Sequence, residues 1–300
     1  MKPQHVEMIL TIAEAGSIRA AAETMGRTQP ALTKALRQAE DALGTKIFRR
    51  SARGVTPTEA GKLVVARARV IRSEMARLRE ELHQIDGDLT GNLSVIVSPL
   101  TAARIIPDAM GRFRTRFPLV HVQLTGGNAP AAFGPLRVGE ADFVIGPAPD
   151  PDAEVGLTVE PLFKTAIALL TGAQSRYRDA TRLEALSDAE WLMIGPRDRV
   201  PLIWSSFHRL GLPMPAPQTT SDSIISILSM LENSDRVCTF PALLAADLET
   251  RWDVARIPIG TPIDPVQIAL THAADRPLTP SGRFLRDCIL ASAALVKDQM

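Results

Sequence analysis

Eight apolar residues set the frame for the whole chain. Val64, Ala68, Ile71, Met75, Leu78, Leu82, Ile85 and Leu89 recur at intervals of 4, 3, 4, 3, 4, 3 and 4 residues, the a/d spacing of a coiled coil. Their neighbours are mostly Arg, Glu and Ser, so the stripe is narrow. A helix packed on its own domain shows a broader apolar face. Just upstream, Thr56-Pro57-Thr58-Glu59 reads as a capping box with Pro at the first helical position. The pattern predicts one helix from Pro57 to about Leu89, roughly 48 Å long at about 1.5 Å per residue. The seam calls for a second copy, giving a homodimer, and such a helix holds the two heads apart while joining them to the body.

The two flanks differ in charge. Net charge over the 300 residues is +1, but residues 1–70 carry twelve basic and six acidic side chains, and the rest carry 22 and 27. A basic head on an acidic body places contact with a polyanion on the head alone. Aromatic residues make up 4%, which argues against a stacking platform for single-stranded nucleic acid. No apolar run approaches a membrane span, and Glu7 and Glu14 interrupt the start where a signal peptide needs an apolar core. The expected setting is the cytoplasm, with no membrane partner.

Within the head, Ser17 is placed to cap a helix from Ile18 to Met25, Gly26 ends it, and Thr28 caps a second helix from Gln29 to Leu43. Pro30 falls in its first turn, where a missing N–H costs little. Two short helices around a Gly-containing turn form a helix-turn-helix pattern. At about 100° per residue, Leu32, Leu36, Ala39 and Leu43 share one face of the second helix, and Pro30, Thr33, Lys34 and Arg37 the opposite one. One face is core; the other offers hydroxyls and cations outward, on a helix of a width that fits the major groove. Next, Ile47-Phe48-Arg49-Arg50-Ser51-Ala52-Arg53-Gly54-Val55 reads as two extended segments around a turn, a wing whose Arg49, Arg50 and Arg53 suit phosphates or the minor groove. The plainer alternative is a helical hairpin with a solvated basic face.

Four segments carry a resemblance: Gly16-Ser17-Ile18-Arg19-Ala20-Ala21-Ala22, Thr28-Gln29-Pro30-Ala31-Leu32-Thr33, Leu43-Gly44-Thr45-Lys46-Ile47-Phe48-Arg49-Arg50 and Thr56-Pro57-Thr58-Glu59-Ala60-Gly61. They closely resemble the LysR-type transcriptional regulators over about the first 65 residues. That family usually has Ser at the positions of Thr28 and Thr33; both replacements keep a hydroxyl. The resemblance implies a winged helix-turn-helix over residues 1–58 that contacts double-stranded promoter DNA through Thr28, Gln29, Pro30, Thr33, Lys34, Arg37, Arg49, Arg50 and Arg53. It implies a linker helix over 59–90, homodimers or homotetramers, and RNA polymerase as a further partner.

After Gly91 the pattern changes to alternating strands and helices, a parallel or mixed sheet covered by helices. Leu93–Val97, Val120–Leu124, Phe143–Ile145 and Thr165–Leu170 are strand-like, and Ala103–Phe117 is helical. Phe113–Val120 and Leu136–Ile145 look like the effector domain of the same family. Its fold is similar to the type 2 periplasmic binding proteins: two α/β subdomains, here about 91–161 with 266–300 and about 162–265, around a ligand cleft. Ligands of such sheets sit at strand ends and helix starts. That places Ser98, Pro99, Leu100 and Thr101, then Gly127 and Asn128, then Ser221 and Ser223, at a cleft for a small, anionic organic effector, with Gly146, Pro196 and Phe240 alongside. For any one Ser or Thr, a plain helix cap is the alternative.

There is no GxSxG, HExxH, Walker loop or GxGxxG in a strand–helix context, so no enzyme and no cofactor is expected. The five histidines lack ligand spacing. Cys238 and Cys288 each lie in an apolar element, as buried thiols do. Two other classes stay open: a cytoplasmic solute-binding or enzymatic protein with a DNA-binding-like head, and a redox-sensing regulator that uses Cys238 and Cys288.

Overall fold

The computed structural model describes residues 2–51, 54–85, 89–195, 203–213 and 217–298, and only the backbone of Arg50, Ser51 and Ile85. The chain divides into two compact units, Met1–Asp88 with Pro135–Ala141, and Leu89–Gly134 with Asp142–Met300.

The first unit opens with three helices, α1 (Pro3–Ala15), α2 (Ile18–Thr24) and α3 (Gln29–Leu43). Ser17 caps α2 by accepting the Ala20 N–H at 3.4 Å, and Thr28 caps α3 by accepting the Ala31 N–H at 3.4 Å. Gly44 ends α3 at φ 67°, a left-handed conformation that suits glycine. A hairpin comes next, β1 (Phe48–Ser51) and β2 (Gly54–Pro57), paired antiparallel from Phe48↔Pro57 to Ser51↔Gly54. The head core gathers Val6, Ile9, Ile12, Ile18, Leu32, Leu36, Ala39, Ile47, Phe48, Val65 and Ala68, each large side chain contributing about 1.5–3 kcal/mol by leaving water.

Two expectations for the head are corrected. Leu43 is 40% exposed, because α3 runs past the edge of the core; the buried residue in that last turn is Glu40. The long helix α4 (Glu59–Ile85) begins two residues later than expected. Pro57 pairs with Phe48 in the wing, so Thr58 and not Thr56 is the cap. Its hydroxyl accepts the Gly61 N–H at 2.9 Å and donates to the Lys46 carbonyl at 2.7 Å. A Cβ at Gly61 would stand 1.8 Å from the Ile47 carbonyl oxygen, so only glycine lets α4 approach the wing this closely.

The second unit is built from β3 (Gly91–Val97), α5 (Pro99–Arg104), α6 (Ile106–Arg116), β4 (Val120–Gly126), α7 (Phe133–Val138, shared with the first unit), β5 (Phe143–Pro147), β6 (Leu157–Thr165) and β7 (Ile167–Gly172). It continues with β8 (Leu192–Ile194), α8 (Ile203–Arg209), β9 (Thr219–Ser221), α9 (Ile224–Leu231), β10 (Cys238–Pro241), α10 (Ala242–Leu248), β11 (Val254–Ile257), β12 (Val266–Ala273) and α11 (Pro280–Lys297). The large sheet has the order β4-β3-β5-β12-β6, with β3 parallel to β4 and β5, and β12 antiparallel to β5 and β6. A smaller sheet, β10-β7-β11, is antiparallel throughout, and β8 pairs with β9 in parallel. Two crossovers join the lobes, at Ala166 and between Ile257 and Val266. The sheet is thus mixed and helix-covered, as the alternating pattern indicates.

Here too the structure redraws details. Thr165–Leu170 is not one strand: Thr165 closes β6 in the large sheet and Ile167 opens β7 in the small one. The change of lobe therefore falls past residue 162. Ala103–Phe117 is not one helix, since Pro107 in the first turn of α6 cannot donate back into α5. Phe113 stacks on Phe117 with centroids 5.5 Å apart, and Phe284 of α11 packs tilted against Phe117 at 5.7 Å. Among the described residues no helix is long and apolar enough to cross a membrane.

Candidate functional site

The outward face of α3 is laid out as the helical angles dictate. Gln29, Pro30, Thr33, Lys34 and Arg37 line one shallow surface depression, while Leu32 and Leu36 point into the core. Thr28 is spent on the cap. Lys34 and Arg37 are exposed, and neither makes a side-chain hydrogen bond or ion pair among the described residues. Two cations, a hydroxyl and an amide thus stand ready for an outside partner. In the wing, Arg49 Nε donates to Thr56 Oγ1 at 3.1 Å, which steadies its stem across the hairpin. Arg50 lies opposite Val55 in the register; its side chain and Arg53 lie outside the described residues.

Sequence reasoning missed what fixes the wing to α3. Glu40 is 6% exposed. Its carboxylate accepts the N–H of Ile47 at 2.9 Å and stands 2.8 Å from Lys46 Nζ. Burial pushes this carboxyl up, but hydrogen bonds from Lys46, Ile47 and Phe48 outweigh it and hold the group below the usual carboxylate range. The available signal was an acid at the border of the apolar stripe, six residues before a lysine.

The α4 stripe divides in two. Ala68 is buried and Val64 packs against the head core, so these two serve the head rather than a partner. Further along, Ile71, Leu78 and Leu82 are exposed, the last two at 58% and 55%, with Met75 half-buried. Leu89 is corrected: it lies beyond the end of α4. Ile85 is the last described residue of α4, and its side chain is outside the described set.

In the second unit the expected ligand residues separate into two cavities. A small one of about 80 Å³ lies between the lobes and takes Ser98, Pro99, Leu100, Asn128 and Phe240, together with Pro147, Met193, Thr239 and Ile268. A larger one of about 790 Å³ takes Pro99, Gly127 and Asn128, with residues of α5, α9 and α10. Four expectations fail. Thr101 is wholly buried, and its hydroxyl donates to the Ile145 carbonyl at 2.7 Å; with one proton to give, it is consumed by the fold. Gly146 lines neither cavity, but a Cβ there would meet Ser98 Cβ at 3.1 Å. Ser221 accepts the Ser223 N–H at 3.1 Å, and Ser223 caps α9 through the Ser226 N–H at 3.2 Å. Ser223 is a plain helix cap and Ser221 braces the turn before it, and Asp222 between them is the residue that lines the larger cavity. Pro196 lies outside the described residues.

The thiols sit in different elements, Cys238 in β10 and Cys288 in α11, and both are buried. Burial pushes the Cys238 thiol up to about 12 and raises that of Cys288 as well. Among the described residues, no three His, Cys, Asp or Glu side chains are grouped to hold a metal.

Comparison with known proteins fits this geometry. Residues 3–62 match the bacterial regulatory helix-turn-helix proteins of the lysR family, and residues 86–294 match the LysR substrate binding domain. The HTH-type transcriptional regulator GalR of Pseudomonas putida KT2440 is 28% identical over 291 residues, 95% of this chain and 72% of that protein. TdcA of Escherichia coli K12, also an HTH-type transcriptional regulator, is 26% identical over 243 residues, 80% of this chain and 77% of that one. Among solved structures, the LysR family regulator CbnR superposes with a TM-score of 0.70 at 22% identity, covering 98% of this chain and 99% of its own. CbnR complexed with its target DNA gives 0.69 at 22% identity, covering 97% and 100%. Its curated relatives are regulators rather than enzymes, and this chain belongs to the LysR family: it is a LysR-type DNA-binding transcriptional regulator with an effector-binding domain.

Proposed function

We propose that the head reads a promoter site in the cytoplasm with α3 in the major groove, Thr33, Lys34 and Arg37 reaching base edges, and Gln29, Arg49, Arg50 and Arg53 on the backbone. The observation that carries this reading is the pair Lys34 and Arg37, two exposed cations with no partner among the described residues, on a helix whose other face is locked in the core. The exposed part of the α4 stripe supports a homodimer, since a row of uncovered Leu and Ile at heptad spacing is what a second helix covers. Homotetramers and contact with RNA polymerase are carried over from the family.

The effector is a small organic molecule with an acidic group, received by the cavity between the lobes. Thr239 offers a hydroxyl there and Asn128 an amide, while Ser98 Oγ, 3.1 Å from Thr101 Oγ1, already gives its proton to Thr101; Pro147, Met193, Phe240 and Ile268 form the apolar walls. At about 80 Å³ the cavity is narrow, well below the roughly 300–1,000 Å³ of ligand sites. Entry therefore swings the lobes about the crossovers at Ala166 and Ile257–Val266. A ligand that favours the open form shifts the equilibrium by its differential affinity, about 1–3 kcal/mol in regulatory couplings.

Electrophoretic mobility shift with a fragment from beside its own gene tests the reading. Operator binding that survives Lys34→Ala and Arg37→Ala unchanged, on operator and random DNA alike, would overturn it.

A further inference from the structure

Arg104 and Asp247 tie the two lobes of the second unit together. Arg104 is the last residue of α5, which follows β3 of the large sheet, and Asp247 lies in α10, which follows β10 of the small one. The two helices pack against each other. Across them the guanidinium meets the carboxylate as a fork, Nε to Oδ2 and Nη2 to Oδ1, both at 2.6 Å. A fork fixes orientation as well as distance and is stronger than a single contact.

The opposite ends of these helices are fixed to different parts of the frame. At the start of α5, the Ser98 N–H and the Thr101 hydroxyl both donate to the Ile145 carbonyl, at 2.9 and 2.7 Å, so α5 rides on β5 of the large sheet. At the start of α10, the Ala242 N–H donates at 2.8 Å to the carbonyl of Ala166, the residue at one crossover. Asp247 lies five residues further along, about 7.5 Å at about 1.5 Å per residue. Helix α10 is thus a lever rooted at a crossover, with the carboxylate at its far end. A turn of the small-sheet lobe about Ala166 displaces Asp247 more than Ala242, and α5 cannot follow. The side chains of Arg104 and Asp247 are also 31% and 34% exposed. Water takes up both charges when they part, so separation strands neither as a buried ion.

We propose that the Arg104–Asp247 fork is a latch that holds the effector-binding domain closed and sets the fraction of molecules whose cleft is open. This rests on the reading that the lobes part about the two crossovers, and adds what keeps them shut.

Pulsed electron resonance on the full-length protein tests it without an effector. Thr125→Cys and Ser229→Cys place one nitroxide label at an exposed position in each lobe, and the native thiols are buried. Excess unlabelled protein restricts the reading to pairs within one chain. Arg104→Gln and Asp247→Asn are expected to raise the ratio of long to short distances by about three- to tenfold, the range for a forked but partly exposed pair. Arg104→Asp alone and Asp247→Arg alone place like charges together and open the domain further; the two combined restore the short distance, which a side chain serving only its own lobe would not do. In about 1 M NaCl the parent shifts toward the long distance, and Arg104→Gln does not respond. Two distances whose ratio none of these changes alters would overturn the latch while leaving the moving lobes in place. One short distance in every variant would overturn both. Failure of the combined charge exchange to restore closure would also refute the latch.

Discussion

The Glu40 carboxylate accepts the backbone N–H of Ile47 at 2.9 Å, so α3 holds the first residue of the wing segment directly. Ile47 is held from its other side as well, since its carbonyl accepts the Thr58 N–H at 2.9 Å. Glu40→Ala leaves a buried N–H and Lys46 without their acceptor and is expected to cost the head about 2–4 kcal/mol. Because the folded carboxyl is held below its ordinary range, its contribution is full above the unfolded value near pH 4.3 and is lost as pH falls through the lower folded value. Glu40→Gln keeps an acceptor without the charge, so the gap between parent and variant shrinks on acidification. Hydrogen exchange over residues 29–58 measures both effects; an equal gap at every pH would contradict the charged pairing.

Leu78 and Leu82 are more than half exposed, so an aspartate at either position removes little packing within the chain. Leu78→Asp or Leu82→Asp is expected to abolish dimers by placing an unpaired carboxylate in the helix seam, with the effector-binding domain still folded. Sedimentation equilibrium decides; intact dimers in both variants would move the interface elsewhere.

Arg37→Ala is expected to weaken operator binding by about 1–3 kcal/mol if the guanidinium reads a base edge. A phosphate contact would instead lower binding equally on all sequences and reduce the salt slope by about one. Titrations at several salt concentrations separate the two.

Thr101 spends its hydroxyl on Ile145. Thr101→Val is therefore expected to lower the stability of the second unit by about 1 kcal/mol and to leave effector affinity unchanged. Urea unfolding followed by the fluorescence of Trp191, Trp204 and Trp252, alongside calorimetry, checks this; lost affinity at unchanged stability would return Thr101 to the binding surface.

A buried thiol held near 12 is protonated at neutral pH and is a poor nucleophile. Operator binding is expected to be insensitive to peroxide, and the double change Cys238→Ser, Cys288→Ser to leave that insensitivity in place. A peroxide-switched parent with a blind double variant would establish the redox reading.

The head was legible because its signals are local. Thr28 and Gly44 bracket α3 within the span that they define, and the 100° rule sorts Leu32 from Lys34 without knowledge of the rest. Glu40 escaped because what buries it, the N–H groups of Ile47 and Phe48, arrives seven and eight residues later from outside the helix. Thr165–Leu170 reads as one strand because both sides of the crossover are apolar and extended, and a change of sheet leaves no mark on that pattern. The larger cavity was invisible for the same reason at longer range: Arg104 meets Asp247 across 143 residues, a pairing that neither segment announces. Where hydroxyls cap or brace the fold, as at Thr101, Ser221 and Ser223, the sequence shows the donor but not its partner.

The place of β12 between β5 and β6 in the large sheet has a consequence for synthesis. The head core draws only on residues from Val6 to Ala68, so it has all its parts early in translation. The large sheet cannot close until Val266–Ala273 leaves the ribosome, and α11 comes later still. A nascent chain halted near residue 250 would carry a finished DNA-reading head on an effector-binding domain with an open seam through its middle. Order of emergence thus makes the sensing half of this regulator the last to mature.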